Sequence, residues 1–187
     1  MTRRESLIQA ELKQTRPFAS RGQEALVALM RTTDLVKRRV AGIVEPHGIT
    51  LQQYNVLRIL RGAGVEGLPT IEVGSRMIEQ TPGITRLLER LRKKGLIWRE
   101  TCSQDRRRVL CGVTKRGLRV LAEIDGPLRQ ADTDCLGTLG DQELVRLVSL
   151  LDRVRSVGGR RGMRRARRVE RVKIGRAAPG ARQGERR

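Results

Sequence analysis

Residues 81–110 read TPGITRLLERLRKKGLIWRETCSQDRRRVL. Ile84, Leu87, Leu88 and Leu91 recur at the spacing that gathers them on one face of a helix. Pro82, Arg86, Glu89 and Lys93 then point the other way, with Gly83, Thr85 and Arg90 on the flanks. Thr81 followed by Pro82 predicts the helix start, because a proline in the first turn loses no hydrogen bond by lacking an N–H. The helix is expected to run to about Lys94 and to stop at Gly95, a residue suited to the left-handed conformation of a helix end. Two β-like runs follow, LIWRETC and RRVLCGV, and the polar SQDR between them predicts a hairpin. Nine of the thirty residues are Arg or Lys. One side of the stretch therefore belongs to an aliphatic core and the other to something negatively charged.

The rest of the chain agrees with that division. Its 187 residues suit one domain, or one domain with tails. Phe18, Tyr54 and Trp98 are the only aromatics, so the core must be built from Leu, Ile and Val. No apolar run approaches the ~18 residues that span a bilayer, and the first residues, MTRRESLIQAELKQTRPF, lack the apolar segment of a secretory signal. Cys102, Cys111 and Cys135 match neither zinc-ligand spacing nor a disulfide framework. The expectation is a soluble cytoplasmic protein with no membrane contact, metal or cofactor.

The net charge of +20 is unevenly placed. Residues 157–187 hold 12 Lys and Arg against 2 Asp and Glu, which is half of it. Of the remaining +10, residues 76–119 carry +9, with 13 cations against 4 anions. A solvated helix face normally mixes both signs, whereas charge focused in one segment points to a polyanion such as DNA.

Around this segment the chain reads as helices. SRGQEALVALMRTTDLVKRRV opens with a capping-box pattern, Ser20 and Gln23, and repeats Leu26, Leu29, Met30, Thr33, Val36 and Val40, with Gly42 and EPHG as its end. TLQQYNVLRILRG opens with a second box, Thr50 and Gln53, and ends at Gly62. GAGVEGLP reads as a loop and TIEVGSRM as a short helix capped by Thr70. After the hairpin, Thr114 caps KRGLRVLAEIDGPLRQADTDCL, which Pro127 is expected to kink. GDQELVRLVSLLDRVRSV follows, with Leu144, Leu147, Val148, Leu151 and Val154 on one stripe. The Arg-rich residues 158–187 have too few apolar side chains for a core and read as a disordered tail.

Helix, short helix, Pro-led basic helix and hairpin, in that order, make a winged helix-turn-helix, in which the third element enters the major groove. The fold class expected is mainly α with a small β-hairpin wing, a winged helix-turn-helix lobe on a helical base. Arg86 is suited to a bidentate guanine contact or to a phosphate contact. Gly83 permits close backbone approach, while Thr81 and Thr85 offer hydroxyls. Three segments, ITLQQYNVLRIL, TPGITRLLERLRKKGLI and DRRRVLCGVTKRG, resemble the MarR family of bacterial transcriptional regulators over roughly residues 20–156. Ile78 departs from the family's usual glycine between the two helices. The resemblance implies a homodimer on double-stranded DNA, and a small-molecule cleft between base and lobes. It also implies a wing pair of Asp105 and Arg107, the carboxylate holding an arginine for the minor groove, with Arg106 at the tip. The domain expected is 1–157, with a DNA-binding lobe of about 50–114 and dimerisation helices of about 20–41 and 115–157.

Two apolar stripes, on ALVALMRTTDLV and ELVRLVSLLDRV, exceed what a three-helix lobe can cover, which again favours a symmetric dimer. Tyr54 can line a ligand cleft or sit in the core. His47 is the only histidine, lies in the loop EPHGIT, and is no basis for nucleophile chemistry; no nucleotide-binding or metalloprotease motif occurs. Catalysis is not expected. Cys102 and Cys111 lie equidistant from the midpoint of the hairpin and would face each other in a symmetric register, which would permit redox sensing. The main reading is a ligand-modulated repressor. A sequence-tolerant architectural DNA-binding protein and a thiol-based regulator stand as its alternatives.

Overall fold

The computed structural model describes residues 6–79, 82–102, 105 and 107–156. Its elements in chain order are α1 (Leu7–Glu11), α2 (Arg21–Val44), α3 (Leu51–Gly62), β1 (Leu68–Pro69), α4 (Thr70–Ser75), α5 (Ile84–Lys93), β2 (Ile97–Thr101), β3 (Val109–Val113) and α6 (Lys115–Leu136), followed by a helix α7 over 141–156. The chain divides into two units, 1–135 and 136–187.

The helix ends show how local chemistry sets the boundaries. At α3 the predicted box is complete: Thr50 Oγ1 accepts from the Gln53 backbone N–H and the Gln53 side chain accepts from that of Thr50. At α2 Ser20 accepts from Gln23 N–H, but the Gln23 side chain reaches back to Ala19 N–H instead. Gly42 does not end α2, since a lone glycine only weakens a helix. The helix runs on to Val44, and the chain then turns through Glu45–His47 to Gly48, at φ 71°. Thr114 caps α6 as expected, accepting from Gly117 N–H while its hydroxyl donates to Gly95 C=O. α6 continues without a break through Pro127, whose ring leaves the Glu123 carbonyl without a ladder donor.

The core of the first unit is aliphatic. Val56, Leu57 and Leu60 of α3 meet Leu88 and Leu91 of α5, with Val44, Val73, Ile97, Leu121 and Ile124 around them. Ion pairs tie α6 to its neighbours: Arg61 makes two bonds to Asp125, and Arg39 meets Asp134. The sheet has three strands in the order β1-β3-β2, all antiparallel. β1, only two residues long, falls in the stretch expected to be a loop. Thr70 does not cap α4, whose N-cap is Pro69 with no side-chain bond. Its hydroxyl donates instead to Val109 C=O on β3, so α4 begins where the sheet edge ends.

Candidate nucleic-acid interface

The turn between α4 and α5 is held from α3. Ile78, at the position of the expected glycine, is exposed, and its N–H donates to Asn55 Oδ1 at 3.0 Å. Met77 beside it is buried. Glu79 pairs with Lys37 of α2 and accepts from Gln52 Nε2 of α3 at 3.5 Å; these contacts hold its carboxyl below the ordinary carboxylate range. The turn is thus anchored to both preceding helices.

α5 starts later than Thr81 and Pro82 predict. Its N-cap is Gly83, at φ 93°, and Pro82 lies in the turn before it. The left-handed glycine breaks the helical path that Pro82 would otherwise begin. Gly83 C=O accepts from Arg86 N–H at 2.9 Å, which closes the first turn. The far end matches expectation: Gly95, at φ 69°, donates to Arg92 C=O while Leu96 N–H donates to Leu91 C=O. Those two bonds are the Schellman pattern that ends a helix at glycine.

The faces divide as the sequence indicates. Leu87, Leu88 and Leu91 are buried and Ile84 is half-buried, packed toward Gly74 of α4. Pro82, Gly83, Thr85, Arg86 and Arg90 are exposed. Among the described residues no carboxylate pairs with Arg86, Arg90 or Lys93. Glu89 is engaged instead with Arg92, at 2.8 Å and 3.0 Å, and with Arg99 of β2 at 3.4 Å; its carboxyl is held low chiefly by the Arg92 bond. Thr81 and Arg106 lie outside the described residues.

The wing corrects one expectation. Arg99 pairs with Cys111, Ile97 with Val113 and Thr101 with Val109, and Cys102 N–H donates to Arg108 C=O. Cys102 and Cys111 therefore do not face each other. The reversal centres on Asp105, whose C=O accepts from Arg108 N–H and whose carboxylate accepts from Arg107 N–H at 3.0 Å. This side-chain mimic of a turn shifts the pairing off the midpoint of the sequence. Cys111 is buried against Thr70 Oγ1, at 3.6 Å. The Asp105–Arg107 contact is made through the arginine's backbone, so the Arg107 side chain stays exposed at the tip. Trp98 lies over Gly112, where a Cβ would come within 2.3 Å of the indole. That close packing stiffens the base of the wing.

Tyr54 is buried, with the Arg58 guanidinium 5.8 Å from its ring centre, and burial pushes its phenol pKa up. The cavity of about 570 Å³ between α1 and α2, lined by Ile8, Arg21, Ala28 and Leu35 among others, does not include it. Among the described residues no cluster of His, Cys, Asp and Glu could hold a metal, and no helix is long and apolar enough to cross a membrane. Asn55, Lys37 and the tie from Glu89 to Arg99 escaped sequence reasoning. Ile78, Glu79 and Arg99, the partners concerned, lie 10 to 42 residues away in the chain, beyond any local pattern.

The family model for the MarR family matches residues 49–109, from the N-terminus of α3 to the wing. A MarR transcription factor from Planctomyces limnophilus is 37% identical, over 73% of this chain and 98% of that one, with a TM-score of 0.56. The chain belongs to the MarR family of transcriptional regulators. A curated relative from Thauera aromatica, a proposed transcriptional regulatory protein for the hcr operon, is 31% identical over 112 residues, 60% of this chain and 66% of its own length. The same fold occurs in S. aureus MepR, solved with DNA (23% identity, 69% and 95% coverage, TM-score 0.63). It occurs also in PcaV of Streptomyces coelicolor, solved with its natural ligand (24%, 75% and 98%, 0.65).

Proposed function

We propose that this MarR-family chain is a sequence-specific, homodimeric repressor whose DNA affinity is set by a small-molecule ligand. One observation carries the DNA-binding part: Arg86 and Arg90 stand exposed, without a carboxylate partner among the described residues, on the helix whose opposite face is buried. An arginine with no internal partner gives up no ion pair on meeting a phosphate or a guanine edge. In this reading Thr81, Pro82, Gly83, Thr85, Arg86 and Arg90 enter the major groove. The wing of Asp105, Arg106 and Arg107 reaches the minor groove, where a narrow groove concentrates negative potential. The relationship to MepR, solved on DNA, supports the pose.

Dimerisation through segments 20–41 and 115–157 is supported by the apolar side chains left exposed there, Leu26 and Met30 on α2 and Val145 and Val148 on α7. Ligand control is supported by the PcaV complex. Tyr54 is the residue offered for that ligand, and its burial makes it a wall of the site before it is a hydrogen-bonding group. A regulator of this kind works on chromosomal DNA in the cytoplasm and needs neither catalysis nor a cofactor. The lobe is read as 50–114 within a domain of 1–157; the Arg-rich 158–187, expected from composition to be a tail, lies outside the described residues.

The test is the specificity ratio at physiological salt. Sequences selected from a random duplex pool should converge on a palindrome with half-sites one helical turn apart, ~10–10.5 base pairs. They should bind ~10³–10⁷ times more tightly than scrambled DNA. A ratio near unity would replace the repressor with the architectural alternative.

A further inference from the structure

Glu89 is the single carboxylate of α5, beside Arg86, Arg90, Arg92 and Lys93. Both of its oxygens are occupied: Oε1 accepts from Arg92 Nη2, and Oε2 accepts from Arg92 Nε and from Arg99 Nη1. One side chain therefore joins a guanidinium of α5 to a guanidinium of β2. Arg99 is mostly buried, and its Nε has no acceptor among the described residues. The only carboxylate that meets this arginine among those residues is Glu89.

We propose that Glu89 is a specificity-determining residue that withholds Arg92 from DNA phosphates and, through Arg99, fixes the wing to α5. The inference rests on the DNA-binding reading above. A carboxylate on a recognition helix can also read a base directly, by accepting from cytosine N4, but here both oxygens are already taken by guanidinium donors. Sequence-independent affinity grows with each phosphate neutralised. On the preferred sequence, base contacts fix the pose, and a freed arginine gains only what that pose offers. On other sequences the lobe can settle wherever the extra cation is best placed. Releasing Arg92, and with it the tie of the wing to α5, therefore strengthens wrong binding more than right binding.

The experiment uses the full-length chain, the duplex selected from a random pool with wild type, and a scrambled duplex of the same composition, each titrated across salt. Glu89→Gln is expected to tighten scrambled-DNA binding severalfold and to lower the specificity ratio. Its plot of log affinity against log salt should steepen by ~0.9 for each further phosphate neutralised. Arg92→Met, in the wild-type background, should leave the slope unchanged, because Arg92 is already withheld. Combined with Glu89→Gln, it should bring the slope back toward wild type. An unchanged slope and ratio in Glu89→Gln overturns the proposal, as does a shallower slope in Arg92→Met. A changed preference at a single base position overturns it in favour of direct readout. Wild type that binds neither duplex removes the DNA-binding reading itself, and this inference with it.

Discussion

α5 and α2 both carry an apolar stripe at helical spacing, yet they use it differently. The ten residues of α5 bury Leu87, Leu88 and Leu91. The twenty-four of α2 bury only Val44, at their very end, and leave Leu26 at 58% and Met30 at 65% exposure. A stripe becomes core only where another element of the same chain covers it. α5 has α3, α4 and the sheet to cover it, whereas among the described residues the short α1 packs beside α2 and leaves Leu26 and Met30 exposed. Periodicity reports that a face is apolar and does not say which chain covers it.

The largest effect expected tests the uncovered stripe. Replacing both Leu26 and Met30 by Asp changes four side chains across a twofold axis. Each such side chain is worth roughly 1.5–3 kcal/mol when buried, before the added charge is counted. Sedimentation at micromolar concentration should show the wild-type dimer replaced by a monomer that keeps its helical circular dichroism. A wild-type monomer would end the comparison, because α2 would then be exposed for good. Leu88→Ala tests the covered stripe. Leu88 is fully buried, so denaturant titration should show a loss of about 2–5 kcal/mol, felt first by the DNA-binding lobe.

How far the sequence could be read follows from the same distinction. The face of α5, its stop at Gly95 and the caps at Thr50 and Thr114 were legible, because each depends on residues within one turn of each other. The start of α5 was not. Pro82 is a general signal for a first turn, and it is overruled by the left-handed Gly83 two residues after Thr81. β1 was not legible either, since two residues, Leu68 and Pro69, carry no period and become a strand only by meeting Leu110 and Cys111. The wing register failed for a related reason. Counting from the midpoint treats the loop as symmetric, whereas Asp105 draws the reversal onto itself.

A smaller effect separates the two parts of the lobe proposed to meet DNA. Arg86→Ala should relax preference at one operator position, at a cost of about 1–3 kcal/mol there. Arg107→Ala should weaken binding while leaving major-groove preferences in place, because the minor-groove pattern is degenerate. Binding-site selection with each variant reads the difference. Equal losses on every sequence would make Arg86 a phosphate contact, and α5 a positioning element rather than a reading one.

The smallest effect lies where α2 and the lobe touch. Lys37 of α2 holds Glu79, in the turn before α5, with a carboxyl pKa depressed from its ordinary 4.5. A carboxyl whose folded pKa is lowered adds stability above its unfolded value, and that stability is lost as pH falls through the folded one. Both partners are partly exposed, so the pair is worth at most about 1 kcal/mol. Lys37→Met should therefore lower the Tm slightly at neutral pH, and the gap to wild type should narrow as the pH drops below 4.5. The same variant carries a functional consequence. With the ion pair gone, the turn keeps its bonds to Asn55 and Gln52 of α3 but loses the ion pair with α2. If the proposed ligand binds between the helical base and the lobe, operator affinity should then change less on adding it. A Tm gap that persists unchanged below the folded pKa would mean that Lys37 stabilises the chain by packing its methylene stem, and that α2 and the turn before α5 are not joined by charge.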